Sequence, residues 1–309
     1  MDLIFLGTPS FAVPTLDRIV EAGHRVLAVF TQPDRPKGRG GQFSASPVKE
    51  AALRLGLPVH QPERIRQADV VEQLKQMKPD AMIVVGYGQI MPQTIIDIPA
   101  RGIINVHASL LPKYRGAAPI QWAIANGEAR TGVTTMKIDA GLDTGDMLLK
   151  WETEIGPEED ALELGRRLAE AGAELLVETL RDNPTPVRQN SAEATLAPIL
   201  KKEDGEIDWS WPASKIFNRS RGLLPWPGTY SFFRGQMFHI WKSRVASDAA
   251  SAKPGQMIPH KKRLLIACGE GTALDPIEVQ MEGRKRMSAE AFLNGQHLRE
   301  DEKLGVKVA

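Results

Sequence analysis

A chain of 309 residues, 42% apolar and 25% charged, has the composition of an ordinary globular protein and the length of one large domain plus a smaller one. It has no apolar run of about 18 residues, which excludes a transmembrane helix. The acidic start Met1-Asp2-Leu3 does not fit a signal peptide, and the single cysteine, Cys268, excludes an intrachain disulfide and a Cys-based metal cluster.

The net charge of +1 is unevenly divided. Residues 1–205 hold 23 Lys/Arg against 27 Asp/Glu, and residues 206–309 hold 16 against 11. That distribution points a polyanionic partner toward the C-terminal part. A cytoplasmic, monomeric protein is expected.

In chain order, "LIFLG", "RVLAVFTQP", "DAMIVVGYG" and "GIINVH" read as strands, rich in β-branched residues and closed by Gly or Pro. Between them "AVPTLDRIVEAG" reads as a helix, with Pro14 in its first turn and Gly23 past its end. "SPVKEAALRLG" and "ADVVEQLKQMK" read as two more. Strands apolar on both faces, alternating with helices, predict a Rossmann-like α/β unit, its mostly parallel sheet covered on both sides. "GVTTMKID" and "DMLLKWETEI" add two strands, antiparallel if they extend the edge, and a helix spans about 160–181. The expected domain covers residues 1–187.

Residues 188–205 lose periodicity and read as a linker. From 206 to 309, short strands such as "GTYSFFRGQMFHIWKSRV" and "RLLIACGEG" between Gly and Pro turns predict a small, OB-like β-barrel. The closing "EDEKLGVKVA" reads as a loosely held tail.

A parallel sheet invites a nucleotide, but the first strand runs into "GTPSFA" rather than Gly-x-Gly-x-x-Gly. No Walker-type phosphate loop and no nucleophile elbow occur. Neither a nucleotide cofactor nor a metal is expected.

"IINVHASLLP" holds a different chemistry. Side chains alternate along a strand, so Asn105 and His107 share one face near its carboxyl end. An amide beside an imidazole can hold the oxygen of a tetrahedral intermediate in acyl transfer, and the imidazole can carry a proton. "KIDAGLDTGDML" supplies three carboxylates, Asp139, Asp143 and Asp146, of which Asp143, among Gly141, Thr144 and Gly145, could bend over that strand. With no evident Ser, Cys or Lys nucleophile, the amide, imidazole and acid would promote direct transfer to an amine. Taken singly, His107 also reads as a satisfied structural histidine and Asp143 as the head of an Asx-turn.

These segments carry a resemblance. "NVHASLLPKYRGAAPI" with "DAGLDTGDML" resembles the folate-dependent formyltransferases, and "FLGTPSFAVPTL", "TQPDRPKGRG", "SPVK", "IDWS" and "GLLPWPGTY" extend the match over most of the chain. The resemblance implies 10-formyltetrahydrofolate as donor, the amino group of methionyl initiator tRNA as acceptor, and a role in translation initiation. It puts the catalytic asparagine, histidine and aspartate at Asn105, His107 and Asp143. It puts the folate against Gly86, Tyr87, Gly88 and Ile90, against the Ser109, Leu110, Leu111 and Pro112 turn, and against Asp139. Gly86 and Gly88 would let backbone approach a flat pterin, or simply turn the chain at the strand end.

The RNA half of this expectation rests on cations. Arg35, Lys37, Arg39 and Lys49 lie in a loop, read as lacking structure of its own, with Asp34 as its one acid. "RGGQF" there holds less lysine than the family pattern. Lys261, Lys262 and Arg263 form a cluster on the predicted barrel, as do Arg284, Lys285 and Arg286. Trp209, Trp211, Trp226 and Trp241 read as packing residues. Two alternatives stand beside this reading: a formyltransferase acting on a small amine, such as an amino sugar, and a silent RNA-binding protein on an enzyme scaffold. A small acceptor needs neither the basic loop nor the basic barrel, and a silent scaffold has no need of all three site residues.

Overall fold

The computed structural model describes residues 1–37, 42–247, 251–299 and 301–305. It separates into two compact units. The first comprises Met1–Pro119, Arg130–Glu154 and Gly165–Ala197, and the second Ile120–Ala129, Ile155–Leu164 and Pro198–Ala309.

The first unit is built on a seven-stranded sheet. Its strands are β1 (Asp2–Gly7), β2 (Arg25–Phe30), β5 (Val59–His60), β6 (Ala81–Val85), β7 (Ile103–His107), β8 (Arg130–Lys137) and β9 (Met147–Glu154), and β3 (Arg35–Lys37) and β4 (Gln42–Ser44) form a separate hairpin. The spatial order is β5-β2-β1-β6-β7-β8-β9. Strands β5 through β7 run parallel, while β8 and β9 are antiparallel additions, as the sequence suggested. β6 and β7 are buried at every residue, which is why neither shows a polar face apart from the two site residues.

Helices α1 (Val13–Glu21), α2 (Pro47–Arg54), α3 (Ala68–Met77), α4 (Gln93–Ile96), α5 (Pro119–Ala125) and α6 (Ala161–Asp182) follow the chain between strands. α2 begins where the Ser46 hydroxyl accepts the Lys49 backbone N–H at 3.1 Å, with Pro47 supplying a preset first residue. α3 drives Val70 and Leu74 into a core with Ile4, Leu6, Phe30, Met82, Val84 and Ile103, which are alternate residues of neighbouring strands. On the other face α6 comes so close to the sheet that a Cβ at Gly172 would lie 2.8 Å from a Val106 methyl.

In the second unit, helix α7 (Ala213–Gly222) precedes a six-stranded antiparallel sheet of β10 (Thr229–Phe233), β11 (Gln236–Val245), β12 (Met257–His260), β13 (Arg263–Ala267), β14 (Ala273–Met281) and β15 (Met287–Ser288), and α8 (Ala289–Gly295) follows. Arg234 and Gly235, both with positive φ, make the tight turn between β10 and β11. Phe233, Phe238, Ile240, Leu264, Ile266 and Phe292 fill its core.

Two expectations are corrected. The segment after 300 is no loose tail as far as residue 305. Leu304 bridges Phe233 on edge strand β10, and Lys303 bridges Gln256 beside edge strand β12, so these residues close the sheet on itself. Leu304 is accordingly only 4% exposed. The basic loop also has structure of its own, since Arg35 pairs with Ser44 and Lys37 with Gln42 across the β3–β4 ladder.

Candidate active site

Asn105 and His107 are held inside the ladder of the first unit rather than beyond it. Asn105 pairs with Val84 on β6 and with Met136 on β8, and His107 pairs with Thr134. Both side chains lie on the face that carries Ile103, two and four residues before them. They are 8% and 5% exposed. The Asn105 amide has no hydrogen-bond partner among the described residues, which leaves a nearly buried donor and acceptor available to a ligand.

The imidazole is fixed from both sides. Nε2 lies 2.9 Å from the Tyr114 carbonyl oxygen, an acceptor only, so Nε2 carries a proton and donates it there. Nδ1 faces Asp143 Oδ2 at 3.7 Å. Each ring nitrogen thus points at an oxygen, an environment in which both N–H groups of a cationic ring find acceptors.

Asp143 reaches His107 by an indirect route. Because β8 is antiparallel to β7, the loop after it starts at the amino end of β7, where the Ile138 N–H bonds to the Ile103 carbonyl at 2.9 Å. The loop then folds back over the sheet face. Its turn is built by Asp139, whose Oδ1 accepts from the Gly141 N–H at 3.0 Å and from the Thr144 hydroxyl at 2.7 Å. Asp143 has φ +50°, a left-handed conformation unusual for a residue with a Cβ. Its Oδ2 accepts the Gly116 backbone N–H at 2.8 Å.

The turn after β7 is secured by β8 and β9. Thr134 donates to the Ser109 carbonyl at 2.7 Å and accepts the Leu111 N–H at 3.2 Å, and Lys150 donates to the Leu111 carbonyl at 2.5 Å. Ser109 and Leu111 are fully buried, with the Ser109 hydroxyl donating to the Lys113 carbonyl at 2.7 Å, so they shape this turn from within. Pro112 is buried and Leu110 half-buried.

The other expected folate residues divide similarly. Gly86 and Gly88 are exposed with φ of +58° and +81°, so both make the turn that leaves β6 and both present bare backbone. Ile90 stands 87% exposed beyond them, and Leu142, on the acidic loop, is 63% exposed. Tyr87 turns inward instead. Its ring is 1% exposed in the core with Met82 and Met91, and burial pushes its hydroxyl up to about 12. Only its carbonyl faces polar groups, accepting from Thr8 and Gln32. The Asp139 carboxylate is taken by its own turn. Exposed glycine backbone, exposed apolar side chains and the unpaired Asn105 amide on one unit fit a flat heteroaromatic ligand with a polar reacting group.

The expected RNA cations have different surroundings. Arg35 is exposed, whereas Lys49 is bound to Asp34 at 2.5 Å, an acid that also accepts from Gln61 at 2.7 Å. Those two contacts hold the Asp34 carboxyl below the usual range, the Lys49 bond foremost. The Lys37 side chain and all of Arg39 lie outside the described residues. Lys261 occupies an exposed turn, and Lys262 is 85% exposed with Glu290 at 3.5 Å. Arg263 serves the protein itself, lying 3.0 Å from Asp275, a carboxylate also met by Arg244 at 2.7 Å. Of the tryptophans, Trp209 is buried and Trp226 stands 54% exposed, contrary to its reading as a packing residue.

Four residues that frame this site gave no signal of chemistry in the sequence: Tyr114, Arg115, Gly116 and Gln189. Gly116 lay inside a motif and could have been noticed there. Gln189 lay in a stretch without periodicity. Among the described residues no cluster of His, Cys, Asp and Glu could hold a metal, and no helix is long and apolar enough to cross a membrane.

Comparison with known proteins adds to this geometry. Residues 1–180 match the family model described as formyl transferase, and residues 199–297 match that of the formyl transferase C-terminal domain. A methionyl-tRNA formyltransferase of Solibacter usitatus is 63% identical over 309 residues, covering 99% of each chain. Another, of Koribacter versatilis, is 58% identical over 310 residues, again 99% of each. Among solved structures, WlaRD, a sugar 3N-formyl transferase with dTDP and 5-N-formyl-THF, superimposes with a TM-score of 0.69 at 17% identity, over 92% of this chain and 99% of that one. At that identity the likeness speaks for the fold.

Proposed function

The chain belongs to the formyl transferase family, and from that membership we infer that it passes the formyl group of 10-formyltetrahydrofolate to the amino group of methionyl initiator tRNA. Relatives above half identity over nearly the whole chain, all bearing one name, support the acceptor. The observation that carries the chemistry is the convergence of an unpaired Asn105 amide, His107 and Asp143, with Nδ1 3.7 Å from the carboxylate.

The donor supplies a formyl group whose carbon the amine attacks. The new C–N bond forms, the carbonyl oxygen takes negative charge, and the bond to the folate nitrogen then breaks as that nitrogen takes up a proton and the former amine gives one up. Asn105 donates its amide hydrogen to the developing oxyanion, where one well-aimed donor is worth about 10²–10³ in rate. His107 joins it when its Nε2–H exchanges the Tyr114 carbonyl for the formyl oxygen. Asp143 faces the opposite nitrogen and fixes the orientation of the ring. The exposed backbone at Gly86 and Gly88, with Ile90 and the acidic loop, receives the pterin, and the turn from Ser109 to Pro112 backs it.

On the RNA side, Arg35, Lys37, Arg39, Lys261 and Lys262 contact phosphates, while Lys49 and Arg263 brace the same surfaces through Asp34 and Asp275. Removing both Lys37 and Arg39 as K37A/R39A should raise the KM for tRNA and reduce the salt slope by up to about two counterions, leaving folate binding intact. Unchanged tRNA dependence would refute that role for the hairpin loop. The enzyme is read as a cytoplasmic monomer, which sedimentation at monomer mass checks.

The direct test compares formyl transfer to methionyl initiator tRNA with transfer to methionyl elongator tRNA. Transfer to the initiator alone is expected. Absence of transfer to either RNA, with folate still bound, would redirect the reading to a small amine acceptor.

A further inference from the structure

Asp143 is held in an unusual backbone conformation, and such a conformation persists only when its surroundings over-determine it. What holds it lies 46 residues further along the chain. Gln189 is only 6% exposed, and its amide nitrogen donates to the Asp143 carbonyl at 2.9 Å and to the Gly145 carbonyl at 2.7 Å. The other end of the same amide, Oε1, accepts from Arg115 Nε at 3.0 Å and Nη2 at 2.8 Å. Arg115 is itself 8% exposed, and among the described residues this amide is its only side-chain partner.

The circuit closes at the next residue. Gly116, bonded to Arg115 along the chain, donates its N–H to the Asp143 carboxylate. One two-residue step therefore holds Asp143 twice, its carboxylate directly and its backbone through Gln189. The step itself is tied to the segment after Gln189. The Arg115 N–H bonds to the Thr195 carbonyl at 2.9 Å, and the Ala197 N–H bonds to the Arg115 carbonyl at 2.7 Å. Room is tight there, since a Cβ on Gly116 would lie 2.5 Å from the Ala197 carbonyl oxygen. Every donor and acceptor of the Gln189 amide that this circuit uses is satisfied, and a buried network of that kind rigidifies what it joins.

We propose that Gln189 is a positioning residue for formyl transfer: backed by Arg115, it fixes the acidic loop so that the Asp143 carboxylate meets His107. This rests on the catalytic reading of Asp143 given above. Gln189 touches no reacting group. Its effect passes through the placement of a carboxylate, where a displacement near 1 Å can cost about 10²-fold in rate.

Q189E isolates the role. A glutamate keeps the volume and still accepts from Arg115, now as an ion pair, but it presents an oxygen to the carbonyls of Asp143 and Gly145. Q189M keeps the volume and removes both functions. Both variants should bind folate as the wild type does, with unchanged KM for either substrate. Turnover per folate-competent molecule should fall by at least about tenfold in each. A merely structural glutamine would lower the unfolding temperature and spare turnover per folded molecule. Turnover within threefold of wild type in Q189E and Q189M therefore overturns the proposal. D143N assayed alongside distinguishes the two levels: an active D143N overturns the catalytic reading and the positioning role with it, and an inactive D143N beside a fully active Q189E overturns the positioning role alone.

Discussion

Asp143→Asn should lower kcat by about 10²–10⁴-fold, the range that a positioned acid or base group contributes, with little change in thermal stability. The substitution is nearly isosteric. Its side-chain oxygen can still accept the Gly116 N–H, and its backbone can still accept from Gln189, so the loop keeps its anchors. What disappears is the negative charge 3.7 Å from His107 Nδ1. The ring then keeps Nε2–H on the Tyr114 carbonyl and loses the carboxylate that faced Nδ1. Oxyanion stabilisation then rests on the Asn105 amide and on an imidazole that Asp143 no longer fixes at Nδ1. His107→Ala should lose a similar factor, and the double variant little more than either single one, because groups acting as one unit are not additive. Single-turnover formyl transfer with saturating donor measures this directly. A D143N enzyme within threefold of wild type would refute the role given to the carboxylate.

The part of this site that lies within one strand was legible in the sequence, because a period of two needs no tertiary information. Asn105 and His107 had to share a face, and the strand had to be buried. Asp143 was legible as one of three candidate acids in its loop, and the family resemblance singled it out. Its path was not legible, for the antiparallel direction of β8 makes the loop start at the far end of β7 and return across the sheet. Gln189 could not be found by pattern. Its burial comes from two carbonyls and one guanidinium brought together across long sequence separations, and such contacts leave no local periodicity. Tyr87, grouped with Gly86 and Gly88 against the folate by the resemblance, instead has its ring in the core, and no local pattern announced that direction. The RNA cations were visible as charges, but which of them answer an acid of the protein depends on Asp34 and Asp275, and those pairings are tertiary.

The closing segment of the second unit was misread for a related reason, and it carries a large expected effect on stability. "EDEKLGVKVA" opens with four charged residues and has no sustained apolar period, so its pattern resembles a free end. Leu304 is nevertheless 4% exposed in the core with Phe233 and Phe292. Its N–H bonds to the Gly255 carbonyl at 2.9 Å, the Gly305 N–H to the Phe232 carbonyl at 3.0 Å, and the Met257 N–H to the Glu302 carbonyl at 2.8 Å. Glu302 is further bound by Arg234 at 2.6 Å, which holds its carboxyl below the usual range. The segment thus supplies hydrogen bonds to both edges of the sheet and one apolar plug between them. Leu304→Ala should destabilise the second unit by about 2–5 kcal/mol, the cost of an emptied core position. Trp209 reports on it, since a Cβ at Gly255 or Gly305 would lie 3.4 Å from its ring. Urea unfolding followed by tryptophan emission should show an earlier transition in the variant, whereas kcat at saturating tRNA should hold, because Asn105, His107 and Asp143 all belong to the first unit. A transition unmoved by the substitution would mean that the sheet stays closed without Leu304 and that the segment only rests against it.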